Sequence, residues 1–448
     1  MSRFKITIIG GGSSSFVPVL MRRFIQSTPL NGSTIALMDI DAHRLDVMQS
    51  LAEKLIASEG AGLTVERTLD QRESLVGADF VIAAISVGGM DAWANDMEIP
   101  GRYGLVMHVA DSVGPGGIMR AFRNAPVLAE VARNVAEVAP HAYVFNYTNP
   151  APTEALAMRV AAPSVKSYAL CSCTGHPSSA EWLAEQAGVE PGEIAMPPVV
   201  AGINHCASVT EIRLRDGTDA MPLVRAQATN PIAAWALETY GVLPYCWSHW
   251  VEHFPQMQRL EGEYAGTAQG VEMRYGIRTH DMAYEKARVA ELEALAARWT
   301  APGASAVTLA DLPPGDEDWG IEVVDIIEAI VENRNETFVV NAPNGGAIPN
   351  LPAEAIVEVN AAVNGYGIRP IAAGPLPEPL AAHLRGYVAF QQQVVKAALS
   401  GDRSAAMQAF LLDPNVTARL ELEQIGELLD EMLEANAEHL PLFQAATA

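Results

Sequence analysis

The stretch KITIIGGGSSSF at 5–16 decides how the rest of the chain is read. KITIIG is an apolar run of strand length, rich in β-branched residues that pack well on a pleated surface, and it ends at three glycines. VPVLMRRFIQ at 17–26 follows with helical spacing, and Pro18 falls in the first turn, where its missing N–H leaves no bond unmade. Gly10 and Gly12 take the first two positions of a G-x-G-x-x-G turn, and Ser15 takes the third. With Ser13 between them, they are expected to let a pyrophosphate approach the backbone at a helix N-terminus. TIALMDID at 34–41 reads as the next strand, ending in acids. Asp39 is the expected acceptor for a ribose hydroxyl, and its charge would repel a 2′-phosphate, so NAD is expected rather than NADP. A merely structural glycine turn is the competing reading.

Strands and helices alternate onward from there. ADFVIAAIS at 78–86 is a continuous apolar run, as in a strand that a parallel sheet covers on both faces. GGIMRAFRNAPVLAEVARNVAEVAP at 116–140 reads as a helix, and AYVFNYTNP at 142–150 and SVKSYALCS at 164–172 read as strands. This alternation predicts an α/β fold with a Rossmann-like doubly wound parallel sheet over 1–200, the NAD-binding domain. Beyond it the pattern changes. ASVTEIRLRDGTDAMPLV at 207–224 alternates and turns at Asp216–Gly217, as antiparallel strands do. Helical spacing then dominates and ends in LELEQIGELLDEMLEANAEHL at 420–440, where Leu422, Ile425, Leu428, Leu429, Met432 and Leu433 share a face. Residues 201–448 are expected to form a mostly helical C-terminal domain with a small antiparallel sheet, carrying the substrate and metal contacts and the oligomer interface. TAPGASAVTLADLPPGDEDWG at 300–320 is expected to be a surface loop or a mobile lid.

The 448 residues are 49% hydrophobic, enough for one large or two medium cores. A balance of 53 acids against 29 bases gives a formal net charge of −24, which speaks against nucleic acid or an anionic membrane as the main partner. No stretch approaches the roughly 18 uninterrupted apolar residues of a membrane span. The start, MSRFKITIIGGG, runs into a strand without a signal-peptide cleavage pattern. The four cysteines, Cys171, Cys173, Cys206 and Cys246, are too few for a disulfide framework in a chain this long. A reducing, cytoplasmic setting is expected, with any special cysteine acting as a ligand or a reactive thiol.

Cys171 follows the strand SYAL, and His205 follows VVAGIN. Both are expected near the carboxyl edge of the sheet, where doubly wound folds bind their ligands. One Cys and one His make an incomplete shell that substrate hydroxyls or water complete, as in an open catalytic site. Two other readings stay open: a structural zinc on Cys171, Cys173, His205 and Cys206, or a buried cysteine beside a hydrogen-bonded histidine.

Further motifs stand in a specific order: GGGS at 10–13, GG at 88–89, IP at 99–100, DSVGPGG at 111–117, NYTNP at 146–150, the strand end at Cys171 and GINH at 202–205. Weaker echoes follow in NLPAEAIVEVN at 350–360 and LRGYVAFQ at 384–391. Together they resemble the NAD- and metal-dependent glycosidases of glycoside hydrolase family 4 over most of the chain. That family departs from the usual two-carboxylate scheme. The resemblance implies that bound NAD oxidises the sugar at C3, acidifying the C2 proton. A base removes that proton, the aglycone leaves from C1, water adds, and the hydride returns to C3. A divalent metal, usually manganese, bridges the C2 and C3 oxygens as a Lewis acid. The resemblance further implies Cys171 and His205 as metal ligands and Asn149 as a hydrogen-bonding contact at the sugar and cofactor. Asn204 would touch the sugar or its metal-bound oxygens, Asp111 would be a substrate-facing acid, and the enzyme would be a homodimer or homotetramer. Simpler readings make Asn149 the cap of the turn before Pro150 and Asp111 the cap of the helix that GPGG opens.

The chain also departs from the family pattern. Ser172 stands where relatives commonly have Asn, Asp or His. A serine hydroxyl is too weak an acid to protonate a leaving group, so Ser172 is expected as a substrate contact. Asp111, His176, His249 and Glu252 remain candidates for the general acid. YGVLPYCWSHWVEHFP at 240–255 is similar to the branch of α-galactosidases, α-glucosidases and α-uronidases, with Tyr245 or a metal-bound hydroxide as the base. His249 and Glu252, three residues apart, share a helical face and equally suit a core pair. Phospho-sugar members tend to carry an arginine after the GG turn; in GGMDAWANDMEIPGR the first base is Arg102, so an unphosphorylated sugar is expected. Arg120 and Arg123 are candidates for the cofactor or for an acidic sugar, Arg120 foremost, and Trp247 and Trp250 for stacking on a sugar face or for the core. NAD-dependent sulfoquinovosidases are a similar group. The leading expectation is hydrolysis of an unphosphorylated α-glycoside, with acidic ones, a sulfoquinovoside or a uronide, among the candidate substrates. The alternatives are an NAD-dependent dehydrogenase of a sugar or hydroxy acid with net NADH formation, and a catalytically dead sensor.

Overall fold

The computed structural model describes residues 3–260, 270–312 and 322–445. Six short parallel strands, β1 (Lys5–Ile9), β2 (Thr34–Met38), β3 (Thr64–Thr68), β4 (Phe80–Ala83), β5 (Tyr143–Asn146) and β6 (Lys166–Ala169), lie in the order 3-2-1-4-5-6. This is the doubly wound order of dinucleotide-binding folds. β3, TVERT, has no apolar run to mark it in the sequence, because it is the sheet's edge strand and is mostly exposed.

Eight strands follow: β7 (Ile194–Gly202), β8 (Ser208–Leu214), β9 (Leu243–Pro244), β10 (Glu272–Met273), β11 (Ile277–Arg278), β12 (Glu336–Pro343), β13 (Ile356–Asn364) and β14 (Gly367–Pro370). β10 and β11 form a small antiparallel pair of their own. The others continue the main sheet, in the order β6-β12-β13-β7-β8-β9, with β14 on β13. The hairpin expected at Asp216–Gly217 amounts to one isolated bridge, Arg213 to Asp219, before helix Met221–Gln227 begins. The full partners of β8 are β7 and β9. The alternation revealed the two faces of β8 but not which strand lies beside it.

One rung crosses the sheet where the parallel strands end. Thr68, Met38, Ile9, Ala83, Asn146, Ala169, Asn341, Glu358 and Gly202 are successive Cα partners along it. β12, β13 and β7 each run antiparallel to the strand before, so His205 reaches this edge on a strand opposed to β6. Helices Val17–Gln26, Ala42–Glu59 and Val323–Glu332 cover one face, packing on Ile6, Ile8, Leu37 and Phe145. Helices Gly114–Val138, Ala151–Ala161 and Glu378–Ser400 pack together over the other. In the expected terminal helix, Leu422–Ala435, Ile425, Leu428, Leu429 and Met432 are buried, while Leu422 at its first position is exposed. Residues 301–312 contain a turn and a 3₁₀ segment, Leu309–Asp311; residues 313–320 of the expected lid lie outside the described residues. No helix among the described residues is long and apolar enough to cross a membrane.

Arg123, a candidate for the cofactor or an acidic sugar, is instead a buried structural cation. Its guanidinium meets Asp96 through two bonds of 2.9 and 2.5 Å and donates to Asn436 at 2.8 Å and to the Val87 carbonyl at 3.1 Å. It ties helix Gly89–Arg102 to the end of helix Leu422–Ala435. Removing one partner of a buried pair leaves an uncompensated charge, so Asp96→Ala is expected to cost about 3–5 kcal/mol of stability. Urea denaturation measures this; a loss within experimental error would show that the pair is not needed for folding.

Candidate active site

Gly10 sits at the end of β1 with φ +97°, and a Cβ there would lie 2.2 Å from the Ala84 carbonyl oxygen. The glycine is therefore required for the turn to pack between β2 and β4. Gly12 N–H donates to Asp39 Oδ2 at 2.8 Å, and Asp41 N–H donates to Oδ1 at 3.1 Å. The carboxylate that closes β2 is thus held by two backbone donors beside the glycine turn. Ser13 Oγ accepts the Phe16 N–H at 3.1 Å as the chain enters the helix. A fixed carboxylate next to bare glycine backbone fits a dinucleotide.

His205 lies in the tight turn between β7 and β8. Gly202 lets that turn close, since a Cβ there would come 2.4 Å from Ala207 Cα. His205 itself has φ +66°, a left-handed conformation uncommon for a non-glycine residue and often kept at functional sites. Its buried ring places Nδ1 2.7 Å from Ser112 Oγ and 3.8 Å from Asp111 Oδ1. The His249 ring lies against it, centroids 4.0 Å apart. Asp111, His205 and His249 each offer a ligand atom within 4.8 Å of the others.

The loop carrying Asp111 is held from below. Val109 and Ala110 N–H donate to Glu252 Oε1 at 2.7 and 3.1 Å, and Gly114 N–H donates to Asp413 Oδ2 at 2.6 Å. Asp111 accepts the Ser112 hydroxyl on Oδ1 and the Asn149 amide on Oδ2, both at 2.7 Å. Asn149 in turn accepts on its carbonyl from Arg120 Nε at 3.3 Å and Asn124 Nδ2 at 3.1 Å. Asn149 is therefore more than a turn cap, and Asp111 makes no side-chain cap on the following helix.

Cys171 is buried just past β6, its Sγ accepting the Cys173 N–H at 3.4 Å and a bond from the Asn204 side chain. Asn204 Nδ2 donates to Glu358 Oε1 at 2.9 Å, while its own Oδ1 is buried with no hydrogen-bond partner among the described residues. Glu358 Oε1 also accepts Asn341 Nδ2 at 2.9 Å, and Oε2 accepts the Tyr245 hydroxyl at 2.6 Å. Asn341 and Glu358 both lie on the rung. Gly10, Asp39, Asn149 and Cys171 follow it by one to three residues on the parallel strands, and Asn204 and His205 follow it by two and three on β7, which runs the opposite way.

Burial sets most protonation states here. It pushes His205 down to about 4 and His249 down to about 3. For Asp111 burial works against ionisation, but His205, His249, Arg120 and the Ser112 hydroxyl outweigh it and hold the carboxyl below its ordinary range. Burial, with the Glu358 charge, pushes the Cys171 thiol up to about 12. Burial and Glu358 likewise raise Tyr245 well above a normal phenol, and burial raises Glu358. At neutral pH two neutral imidazoles and one carboxylate thus face each other, and Cys171 belongs to no such group of three ligand atoms among the described residues. That donor set fits a divalent cation.

Several alternatives do not assemble. The zinc tetrad fails because Cys173 pairs with Cys246 and Cys206 is buried among apolar side chains. His249 and Glu252 do not pair, since one faces His205 and the other the 109–110 backbone. Trp250 is core, stacked on Phe254 with ring centroids 4.2 Å apart. Trp247 is half-buried and donates to the Pro244 carbonyl at 2.5 Å. His176 lies beside Trp182, Ser172 is half-buried in a 3₁₀ turn, and Arg120 stands over Trp93. Arg102 pairs with Glu431 on the surface. Sequence reasoning singles out neither Glu358 nor Asn341; the available signal was an acid and an amide inside apolar strands, AIVEVN and FVVNA.

Residues 5–186 match the model of the family 4 glycosyl hydrolases, and residues 200–416 match that of their C-terminal domain. The chain is 31% identical to an α-galactosidase of Bacillus subtilis (strain 168), over 98% of this chain and 100% of the relative. An α-galacturonidase of the same strain is 29% identical over 97% of this chain and 98% of its own. A 6-phospho-α-glucosidase from gut microorganisms, solved with NAD and Mn2+, superposes with a TM-score of 0.81 at 21% identity, covering 98% and 99% of the two chains. The chain belongs to family 4 of the glycosyl hydrolases and is a glycosidase.

Proposed function

We propose that this glycosidase hydrolyses an unphosphorylated α-glycoside. The reading takes the sugar through oxidation at C3, loss of the C2 proton, departure of the aglycone from C1, addition of water and re-reduction at C3. One observation carries it: a glycine turn with its fixed acid and the strand ends that lead to Cys171, Asn204 and His205 adjoin a single rung of one sheet. When bound, NAD supplies a reversible hydride acceptor, and a divalent ion such as Mn2+ supplies Lewis acidity at the sugar oxygens. The 6-phospho-α-glucosidase solved with NAD and Mn2+ supports that cofactor pair.

In this reading Gly10, Gly12, Ser13 and Asp39 hold the dinucleotide, and Cys171 and His205 hold the metal. Asn149, fixed by its bond to Asp111, faces sugar and cofactor. Asn204 offers its unsatisfied oxygen to a sugar hydroxyl, and Ser172 lines the same end. Tyr245 removes the C2 proton while its own proton passes to Glu358, 2.6 Å away. The burial that raises Glu358 favours its protonated form and so assists that transfer. Asp111 and His249, a carboxylate and a neutral imidazole at neutral pH, are the catalytic groups that take up the proton of the entering water. Arg120 suits an acidic substrate, a uronide or a sulfoquinovoside, and the α-galacturonidase relative supports that class. The setting is cytoplasmic and the enzyme a homodimer or homotetramer, which sedimentation checks.

A panel of nitrophenyl glycosides tests the reading, with α and β anomers, neutral sugars, uronides, a sulfoquinovoside and 6-phosphates, each with and without NAD and Mn2+. Hydrolysis of an unphosphorylated α-glycoside that needs both additions, with no NADH accumulating, is the expected result. NADH formed in step with product would replace the reading with a dehydrogenase, and preferred cleavage of a 6-phosphate would overturn the substrate class.

A further inference from the structure

We propose that the Tyr147 hydroxyl and the Glu322 carboxyl receive the carboxamide of the nicotinamide ring and fix which way that ring lies between the glycine turn and Cys171. Asp39, held beside Gly12 at the end of β2, sets the adenosine end of the dinucleotide. With the strands in the order 3-2-1-4-5-6, the nicotinamide end then falls on the other side of β1, over β4 and β5 and toward Cys171 past β6. Tyr147 and Glu322 border that side.

Tyr147 is the first residue past β5, and its N–H still donates to the Ala83 carbonyl at 2.8 Å. Its ring lies against Phe16, where the chain leaves the glycine turn, with centroids 5.1 Å apart. The hydroxyl is buried, and no group among the described residues accepts its proton; the Val323 backbone N–H approaches the oxygen only as a donor. Burial and the nearby Glu322 charge keep the phenol protonated at neutral pH, so it has a hydrogen bond to give. A buried donor left unpaired is costly and calls for a partner. Glu322 precedes helix Val323–Glu332, which an ion pair of 2.5 Å between Arg23 and Asp325 ties to the helix that the glycine turn opens. Thr174 Oγ1 donates to Glu322 Oε2 at 3.3 Å and to the Cys171 carbonyl at 2.7 Å, which sets the carboxyl beside the turn that follows Cys171. Burial lifts that carboxyl to about 7, and in either protonation state it keeps an oxygen that accepts.

A carboxamide offers one carbonyl acceptor and one amino donor. The phenol donates to the first and the carboxyl accepts from the second, a match that turning the ring over destroys. A carboxylate in place of the carboxamide brings no donor to Glu322 and sets a negative charge against it. The pair therefore selects nicotinamide over nicotinic acid and presents one face of the ring to the sugar.

The inference rests on NAD lying in the glycine turn. The test titrates the full-length protein calorimetrically with NAD, with ADP-ribose, which lacks the nicotinamide, and with nicotinic acid adenine dinucleotide, which carries a carboxylate in its place. The wild type is expected to bind NAD at least about 10-fold more tightly than the acid dinucleotide. Tyr147→Phe is expected to weaken NAD about 10-fold and to leave ADP-ribose within about twofold, because the lost bond is at the nicotinamide alone. Glu322→Gln keeps the shape, removes the charge and offers an amide donor, so it should narrow the preference for NAD to about threefold or less. Equal losses of NAD and ADP-ribose in Tyr147→Phe would assign the residue to the scaffold and overturn the proposal. Unchanged NAD affinity in that variant, a wild type that binds both dinucleotides equally, or an undiminished preference in Glu322→Gln overturns it too; each leaves the cofactor reading standing. A wild type that binds neither NAD nor ADP-ribose overturns the proposal together with that reading.

Discussion

Cys171→Ser is expected to lower kcat/KM by about a thousandfold or more, because Lewis-acid stabilisation at a sugar oxyanion is worth several kcal/mol and each 1.4 kcal/mol or so is tenfold in rate. The change is nearly isosteric at a buried position whose present bonds come from the Cys173 N–H and the Asn204 side chain. A serine oxygen accepts the same bonds, so the fold should survive. It does not ionise to a soft thiolate, so the ion should be lost. Metal content after gel filtration and kcat/KM at saturating Mn2+ are the two measurements. A variant that keeps one equivalent of Mn2+ and more than about a tenth of the rate, against the roughly thousandfold fall expected, would remove Cys171 from the ligand set.

Tyr245→Phe is the second large effect, a fall in kcat of about 10²–10⁴-fold, the range for removal of a general base. The phenol hydroxyl donates to the buried Glu358 carboxylate. Phenylalanine leaves that oxygen without its donor, so a stability cost of about 1–3 kcal/mol should accompany the kinetic loss. Two further readings separate catalysis from damage. NAD and Mn2+ binding should persist, and exchange of the substrate's C2 hydrogen with solvent deuterium should stop. Continued C2 exchange at the wild-type rate would assign the base elsewhere.

Local patterns carried the first half of the molecule. KITIIG, TIALM and ADFVIAA announce strands because a parallel sheet buried on both faces demands unbroken apolar runs, and β3 escapes for the opposite reason. Gly10, Asp39 and Asn149 could be singled out as candidates because each follows a strand run in the sequence. Arg123 and Trp250 were legible only as candidates: a buried ion pair with Asp96 and a stack on Phe254 depend on partners in other elements. The Asp216–Gly217 turn chemistry was real, yet β8 found its partners in β7 and β9.

By itself, then, the sequence determined which residues form the glycine turn, which strands are doubly buried, and which side chains carry soft, nitrogen and carboxylate donors. These are properties of neighbours along the chain. Only the tertiary structure decided that β12, β13 and β7 extend the parallel sheet, and so which rung Asn341, Glu358 and Gly202 share with Ala169. The physical reason is that pairing between distant strands, and the burial that follows, acts across space. It sets Glu358 against Tyr245 and Asn204, and His249 against His205, with no trace of either contact in local spacing.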